Sequence, residues 1–354
     1  MRIAVDGRHL AAGRGVARYT RSLLTAMTAA FPEDDWRVFV GGREPVIAPT
    51  QLIRHRLGSR ALFGAGALAG RPRLDRLAGG ADVVWAPAPA PLAVSRGLPL
   101  VLTVHDLSWV ACPQDFTAYE RAWHWVGRLR EQAHRARRIV ADSHATRDEL
   151  VQRWGIAPEK IAVVHLGPGM AGVAHVDLDS PGERTEPPYL LAVGALEPRK
   201  EPELLVRAYE RARAAGLRAE LWFAGEGRLT VGGAGVRALG DRDDAALAGL
   251  YAGALALVHP ARLEGFGFPP IEALARGTPP IVADLPVYAE TVGAGALRFP
   301  PGDEAALADA MLAVERDAEL RDRLVTAGRA AIARLSWERA ARETHAVLME
   351  AAGR

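Results

Sequence analysis

Residues 257–283 read LVHPARLEGFGFPPIEALARGTPPIVA. An apolar run ends at His259. A loop follows with Glu264, Gly265, Phe266, Gly267 and Phe268. Pro269 and Pro270 then stand where the first turn of a helix belongs, because a residue there needs no N–H donor. Glu272 lies inside that helix, and a second apolar run closes the stretch. Strand, Gly-rich loop, helix and strand in this order make a βαβ unit, which implies a parallel sheet. Glycines let backbone N–H groups approach a ligand closely. The helix start behind them attracts an anion such as a diphosphate. A carboxylate before the loop accepts hydrogen bonds from sugar hydroxyls, and one eight residues on reaches a second diol such as a ribose. The plainer reading is that Glu272 only complements the helix dipole and EGFGF is a tight turn.

The same alternation runs outward through the chain. MRIAVDG opens as a strand, and VARYTRSLLTAM has helical spacing with Val16, Tyr19, Leu23 and Leu24 on one face. WRVFVGG, ADVVWAP, LPLVLTVHD, RRIVADS and KIAVVHLG are further strands, and helices are expected over 117–136 and 144–154. Residues 167–188 are rich in Gly, Pro and charge and lack periodicity, as a linker does. The alternation restarts at YLLAVGA and ends in an amphipathic helix, SWERAARETHAVLMEAA. Continuous apolar strands separated by helices imply an α/β fold whose parallel sheets are covered on both faces. The expected organisation is two Rossmann-like, doubly wound βαβ domains facing across a cleft. They are a domain at 1–170, a linker at 171–187, a second domain at 188–335, and a helix at 336–354 that crosses back to the first. In such folds ligands bind at the carboxyl ends of the strands.

Composition removes other classes. With 354 residues, 49% of them hydrophobic and 24% charged, the chain is an ordinary globular one and not a disordered or fibrous one. No apolar run is long enough to span a bilayer. Asp6 and Arg8 stand where a signal peptide needs its apolar stretch, so a cytoplasmic location is expected. A lone Cys112 supports neither an internal disulfide nor a Cys-based metal site. The net charge of +2 hides an asymmetry. Residues 1–170 carry 23 Lys and Arg against 15 Asp and Glu, a net +8, and the rest carry 21 against 27, a net −6.

Glu264 and Glu272, with GFGFPPI between them, resemble the E-x7-E signature of retaining glycosyltransferases, family 4 in particular. The resemblance covers nearly the whole chain through VHDLSW (104–109), ADSHATRDEL (141–150), VGALEPRK (193–200), residues 257–283 and SWERAA (336–341). It implies the GT-B fold of two Rossmann domains. It also implies transfer of a hexose, with mannose the first candidate, from a nucleotide-diphospho-sugar such as GDP-mannose or a UDP-hexose to an acceptor hydroxyl. Lys200 matches the lysine that binds the donor pyrophosphate, and a cation at the carboxyl end of a strand suits that role. Many members carry Arg directly after the strand glycine. This chain has Ala195 after Gly194, leaving Arg199, another arginine or a loop amide to supply the second contact. His105 matches a histidine beside the reacting sugar, and Asp106 either caps the next turn or meets substrate. In the turn after the first strand, Gly15 is the candidate for close backbone approach and Gly13 makes the turn. GRGVAR lacks the last glycine of a dinucleotide fingerprint, which argues against NAD. Glu264 is assigned to the sugar hydroxyls, Glu272 to the ribose, and Gly265, Phe266 and Gly267 to backbone contacts. His259 reads as structural. No cofactor or metal is expected, because cationic side chains take the metal's part. Residues 225–239 are short for the helix that usually separates these strands.

Arg54, Arg56, Arg60, Arg71, Arg73 and Arg76 precede a basic stretch, YERAWHWVGRLREQAHRARR, with two tryptophans. Such residues dock on an anionic membrane surface or hold a lipid-phosphate acceptor. The alternative is a solvated face with its tryptophans in the core. The expected partners are therefore a nucleotide-sugar donor and a glycan or lipid-linked acceptor. Peripheral contact with the inner face of a membrane comes through the basic half. Nucleic acid is not expected. A sugar-nucleotide sensor without activity, or a related GT-B enzyme such as an epimerase, stays open beside the transferase.

Overall fold

The computed structural model describes residues 1–10, 15–42, 50–169 and 187–354. The chain divides into two compact units, Met1–Val173 with Leu335–Arg354, and Ala174–Arg334. The segment expected as a linker lies, apart from Pro187, outside the described residues, as do Gly13 and Arg14.

The first unit runs β1 (Arg2–Asp6), α1 (Gly15–Ala30), β2 (Asp35–Gly41), β3 (Gln51–His55), α2 (Ser59–Ala69), α3 (Leu74–Leu77), β4 (Val83–Ala86), β5 (Leu100–Val104), α4 (Ser108–Ala111), α5 (Ala118–Val126), α6 (Leu129–Arg135), β6 (Arg138–Ala141), α7 (His144–Trp154) and β7 (Ile161–Val163). Among the described residues its seven strands are all parallel, in the order β3-β2-β1-β4-β5-β6-β7. Ile3, Val5, Val83, Val84, Val101 and Leu102 are fully buried. Burying one such side chain stabilises by about 2 kcal/mol, which is why these strands read as unbroken apolar runs.

The second unit runs β8 (Tyr189–Val193), α8 (Pro202–Ala214), β9 (Glu220–Ala224), β10 (Val236–Gly240), α9 (Asp244–Gly253), β11 (Ala256–His259), α10 (Phe268–Ala275), β12 (Pro280–Ala283), α11 (Pro286–Thr291), β13 (Leu297–Phe299), α12 (Glu304–Arg316) and α13 (Ala318–Ile332). Among the described residues six parallel strands lie in the order β10-β9-β8-β11-β12-β13. The chain then returns to the first unit as α14 (Trp337–Ala351), which packs on α1 and against β4, β5 and β6. Trp337 lies on Gly167, where a Cβ would come 2.5 Å from the Trp337 nitrogen, and its indole donates to the Gly169 carbonyl at 3.2 Å. Further along α14, His345 stacks on Phe31 and bonds Asp34 at 2.6 Å.

Each sheet reverses its winding once, between β1 and β4 and between β8 and β11. At such a point neighbouring loops leave in opposite directions and open a crevice at the carboxyl ends.

One local difference from the sequence expectation, and one agreement with it, have clear causes. The helix expected over 117–136 is broken into α5 and α6. Arg128 takes a left-handed conformation with φ 50°, and a Cβ on Gly127 would come 3.1 Å from the Trp123 carbonyl oxygen. Between β9 and β10 residues 225–235 form no helix, although a parallel pair normally uses one for its crossover. The loop is fastened instead to what lies beside it. Leu229 donates to the Leu196 carbonyl at 3.0 Å, and the Tyr209 hydroxyl to the Gly235 carbonyl at 3.1 Å. A Cβ on Gly225 would come 2.1 Å from the Gly194 carbonyl oxygen, so only glycine allows this approach.

Candidate functional site

In the second unit the assigned residues gather where β8 and β11 part. A short turn at Pro198–Lys200 leads into α8 and carries Arg199 and Lys200. It is fixed from the opposite loop, because the Arg262 backbone N–H donates to the Arg199 carbonyl at 3.0 Å and the Arg262 guanidinium pairs with Glu201 at 2.6 Å. Glu201 itself has φ 55°, a left-handed conformation that turns the chain into α8.

Glu264 follows β11. Its carboxylate forms an ion pair with the Lys200 ammonium, and the same oxygen bonds His259 Nε2 at 2.9 Å. His259 is 3% exposed at the end of β11. Burial, with Lys200 and Arg199 close by, pushes its imidazole well below the usual histidine range. The ring is therefore neutral at pH 7. Since a carboxylate only accepts, Nε2 carries the ring's one proton.

The loop then closes onto α10 through Gly265, Phe266 and Gly267, all buried. Gly267 has φ 82°, and a Cβ there would come 2.7 Å from Tyr288 Cε1. Left-handed backbone and lack of room both require glycine. Phe268 packs edge-on to Phe266 at 5.5 Å. Pro269 and Pro270 occupy the first turn of α10. Glu272 follows on the same helix, 7% exposed, and its Oε2 accepts from the Tyr251 hydroxyl at 3.1 Å. A buried carboxylate is costly unless hydrogen-bonded, and Tyr251 meets part of that cost. The arrangement offers an anion a lysine, an arginine and a helix start. It offers hydroxyl groups two carboxylates.

His105 and Gly15 belong to the first unit. His105 follows β5 with both ring nitrogens engaged, Nδ1 to Asp142 at 2.6 Å and Nε2 to the Pro87 carbonyl at 2.9 Å. Both partners only accept, so both nitrogens carry protons. Burial works against that charge, but the Asp142 carboxylate, together with Asp106 and the Pro87 carbonyl, outweighs it and lifts His105 above its ordinary value. Its own carbonyl accepts from the Thr146 hydroxyl at 2.9 Å. Asp106 caps the next turn, accepting from the Ser108 N–H at 2.9 Å and its hydroxyl at 2.7 Å. Gly15 begins α1, and a Cβ there would meet nothing within 4 Å.

Sequence reasoning missed Asp142 and Tyr251 and set His259 aside. Asp142 follows the strand beside the one that His105 follows, so strand order would have revealed it. His259 precedes Glu264 by five residues on the same βα turn.

The model of Glycosyltransferase Family 4 matches residues 13–167, and that of Glycosyl transferases group 1 matches residues 176–331. O-antigen chain mannosyltransferase B of Escherichia coli is 28% identical over 267 residues, covering 69% of this chain and 68% of that protein. O-antigen chain mannosyltransferase RfbU of Salmonella typhimurium is 28% identical over 233 residues, covering 61% and 60%. The phosphatidyl-myo-inositol mannosyltransferase of Mycobacterium leprae is 39% identical over 105 residues, 29% of this chain and 28% of that one. The chain thus spans less than two thirds of the length of the latter two. Among solved structures, a sucrose-phosphate synthase from Thermosynechococcus elongatus superimposes with a TM-score of 0.76 at 20% identity, over 99% of this chain and 98% of that one. Anabaena HepE in complex with UDP and glucose gives 0.69 at 17% identity, over 98% of each. At these identities the likeness establishes the fold, two Rossmann-like domains of the GT-B class. With one family model on each unit and mannosyltransferases among its relatives, the chain belongs to the glycosyltransferases of family 4 and is a transferase enzyme.

Proposed function

We propose that the enzyme moves a hexose, mannose first, from a nucleotide-diphospho-sugar to an acceptor hydroxyl with retention at the anomeric carbon. One observation carries the donor site: Lys200, Arg199 and Glu264 meet beside the start of α10, with Glu272 buried behind it. In this reading Lys200, Arg199 and the backbone of Gly265, Phe266 and Gly267 take the diphosphate. Glu264 takes the sugar hydroxyls and Glu272 the ribose. GDP-mannose is the first donor and a UDP-hexose the next. Two relatives named as O-antigen chain mannosyltransferases support mannose and a cell-surface glycan, and one named for phosphatidyl-myo-inositol supports a lipid-linked acceptor.

In the reaction the bond from the anomeric carbon to the diphosphate oxygen breaks as the acceptor oxygen bonds the same face of that carbon. The departing diphosphate takes the acceptor's proton. The protein's part is electrostatic: fixed positive charge where negative charge develops. Lys200 and Arg199 supply it without a metal. His105, a protonated ring held from both sides, supplies a fixed cation on the acceptor-side unit, and Gly15 leaves room at the start of α1.

The acceptor's surroundings are read from the first unit. Trp125 and Tyr119 are 81% and 73% exposed, among exposed Arg121, Arg128 and Arg130. Exposed aromatics among arginines suit the anionic inner face of a membrane. Among the described residues no helix is long and apolar enough to cross a membrane. Nucleic acid has no part in this reading.

A thermal-shift panel of GDP, UDP, ADP and TDP with their sugars identifies the donor. Lys200→Ala and Glu272→Ala are then each expected to lower transfer by about 10²–10³-fold, with circular dichroism unchanged. Full activity in both variants overturns the assignment. Binding without turnover under any acceptor favours a sensor.

A further inference from the structure

We propose that His259 is a positioning residue, whose Nε2–H holds Glu264 in place for the donor's sugar while Lys200 turns to the diphosphate. The inference rests on the donor reading above.

Glu264 has two partners on one oxygen, and they differ in kind. Lys200 is a charged group on a long, flexible stem. His259 is a rigid ring rooted in β11, whose backbone pairs with β12 through Val282. The ring is 3% exposed and lies edge-on to Tyr288, the same tyrosine that fills the space beside Gly267. A diphosphate reaching Lys200 competes with Glu264 for the ammonium, because both are anions. Glu264 then faces a second negative charge and loses its cation. Its side chain is only 11% exposed, so water does not replace what is lost. The His259 N–H remains. It keeps one carboxylate oxygen fixed and leaves the other for a sugar hydroxyl. Neutrality suits the task, because a charged imidazolium would draw the diphosphate to itself.

The test compares two ligands on the full chain. Calorimetry gives the Kd of a nucleoside diphosphate and of the matching nucleotide sugar, for wild type, His259→Leu and His259→Gln. The Gln amide N–H reaches about where His Nε2–H does, whereas Leu has no donor. His259→Leu is expected to lose about tenfold in nucleotide-sugar affinity relative to diphosphate, the worth of one hydrogen bond to a charged group. His259→Gln is expected to restore the wild-type ratio to within about twofold. A merely structural histidine would weaken both ligands alike and leave the ratio unchanged, and that result overturns the inference. So does a Gln variant that behaves like the Leu variant. If His259→Leu does not fold, His259→Met carries the same comparison. A wild-type chain that binds neither ligand overturns the donor reading itself, and the inference with it.

Discussion

Each unit has, at the carboxyl end of a strand, a histidine bonded to a carboxylate, and the two histidines are driven to opposite charge states. His105 bonds Asp142 at 2.6 Å and is raised; His259 bonds Glu264 at 2.9 Å and is lowered. Burial opposes charge in both. The neighbours decide. Asp142 and Asp106 surround His105, and its second nitrogen meets a carbonyl. His259 has Lys200 and Arg199 beside it, and Lys200 already neutralises the shared carboxylate. A histidine–carboxylate pair is therefore not one device. In the first unit the histidine is itself the cation. In the second the cation is lysine, and the histidine is left as a neutral donor.

The largest break in this comparison is Asp142→Asn. Asn still accepts from Nδ1, but the charge that sustains the imidazolium is gone. At pH 6 the variant is expected to be about 2 kcal/mol less stable in denaturant unfolding, the scale of a hydrogen bond between charged groups. His105 is expected to titrate below wild type by NMR. An unmoved titration would show that Asp142 does not set the charge.

The next test is the pH dependence of stability, where the signs differ. His105 holds its proton more tightly folded than unfolded. Its contribution is full below the unfolded value of about 6.5 and is lost as pH rises through the raised folded value. His259 holds its proton less tightly folded. Its contribution is full above about 6.5 and is lost as pH falls toward the lowered folded value. Unfolding at several pH values should therefore show an alkaline loss that Asp142→Asn removes and an acid loss that His259→Gln removes. If both variants flatten the same limb, the opposition between the two histidines is wrong.

Much of this was legible in the sequence, and the rest fails for physical reasons. The strands were readable because parallel strands buried on both faces are unbroken apolar runs. The turn into α10 was readable because Gly267 permits the left-handed turn and the two prolines fix φ for the first helical turn. Lys200 and Glu264 were both identified, but not their ion pair, since 64 residues separate them and only strand order brings β8 beside β11. The break between α5 and α6 was hidden because Arg128, a good helix former, takes the left-handed conformation there. Trp125 was ambiguous between core and surface, since a basic amphipathic stretch fits both, and it is exposed.

The smallest test asks whether a neutral donor also positions the other carboxylate of the candidate donor site, Glu272. Asp6 of the first unit is held by a charged partner, Arg8, through two contacts of 2.7 Å. Glu272 of the second is held by a phenol, Tyr251, at 3.1 Å. An anion-binding unit gains from this choice, because charge used on its own carboxylates is not available to a diphosphate. Tyr251→Phe removes the hydroxyl and keeps the ring in the core beside Tyr189, Leu257 and Ala273. It also keeps the Tyr251 backbone carbonyl, which accepts from Thr278. The loss of one such bond is about 1 kcal/mol, or about fivefold. On the donor reading it falls on KM for the nucleotide sugar, with kcat within about twofold, because the ribose lies away from the reacting carbon. A variant with lower stability and unchanged KM would leave Tyr251 a packing residue and limit the neutral-donor pattern to His259.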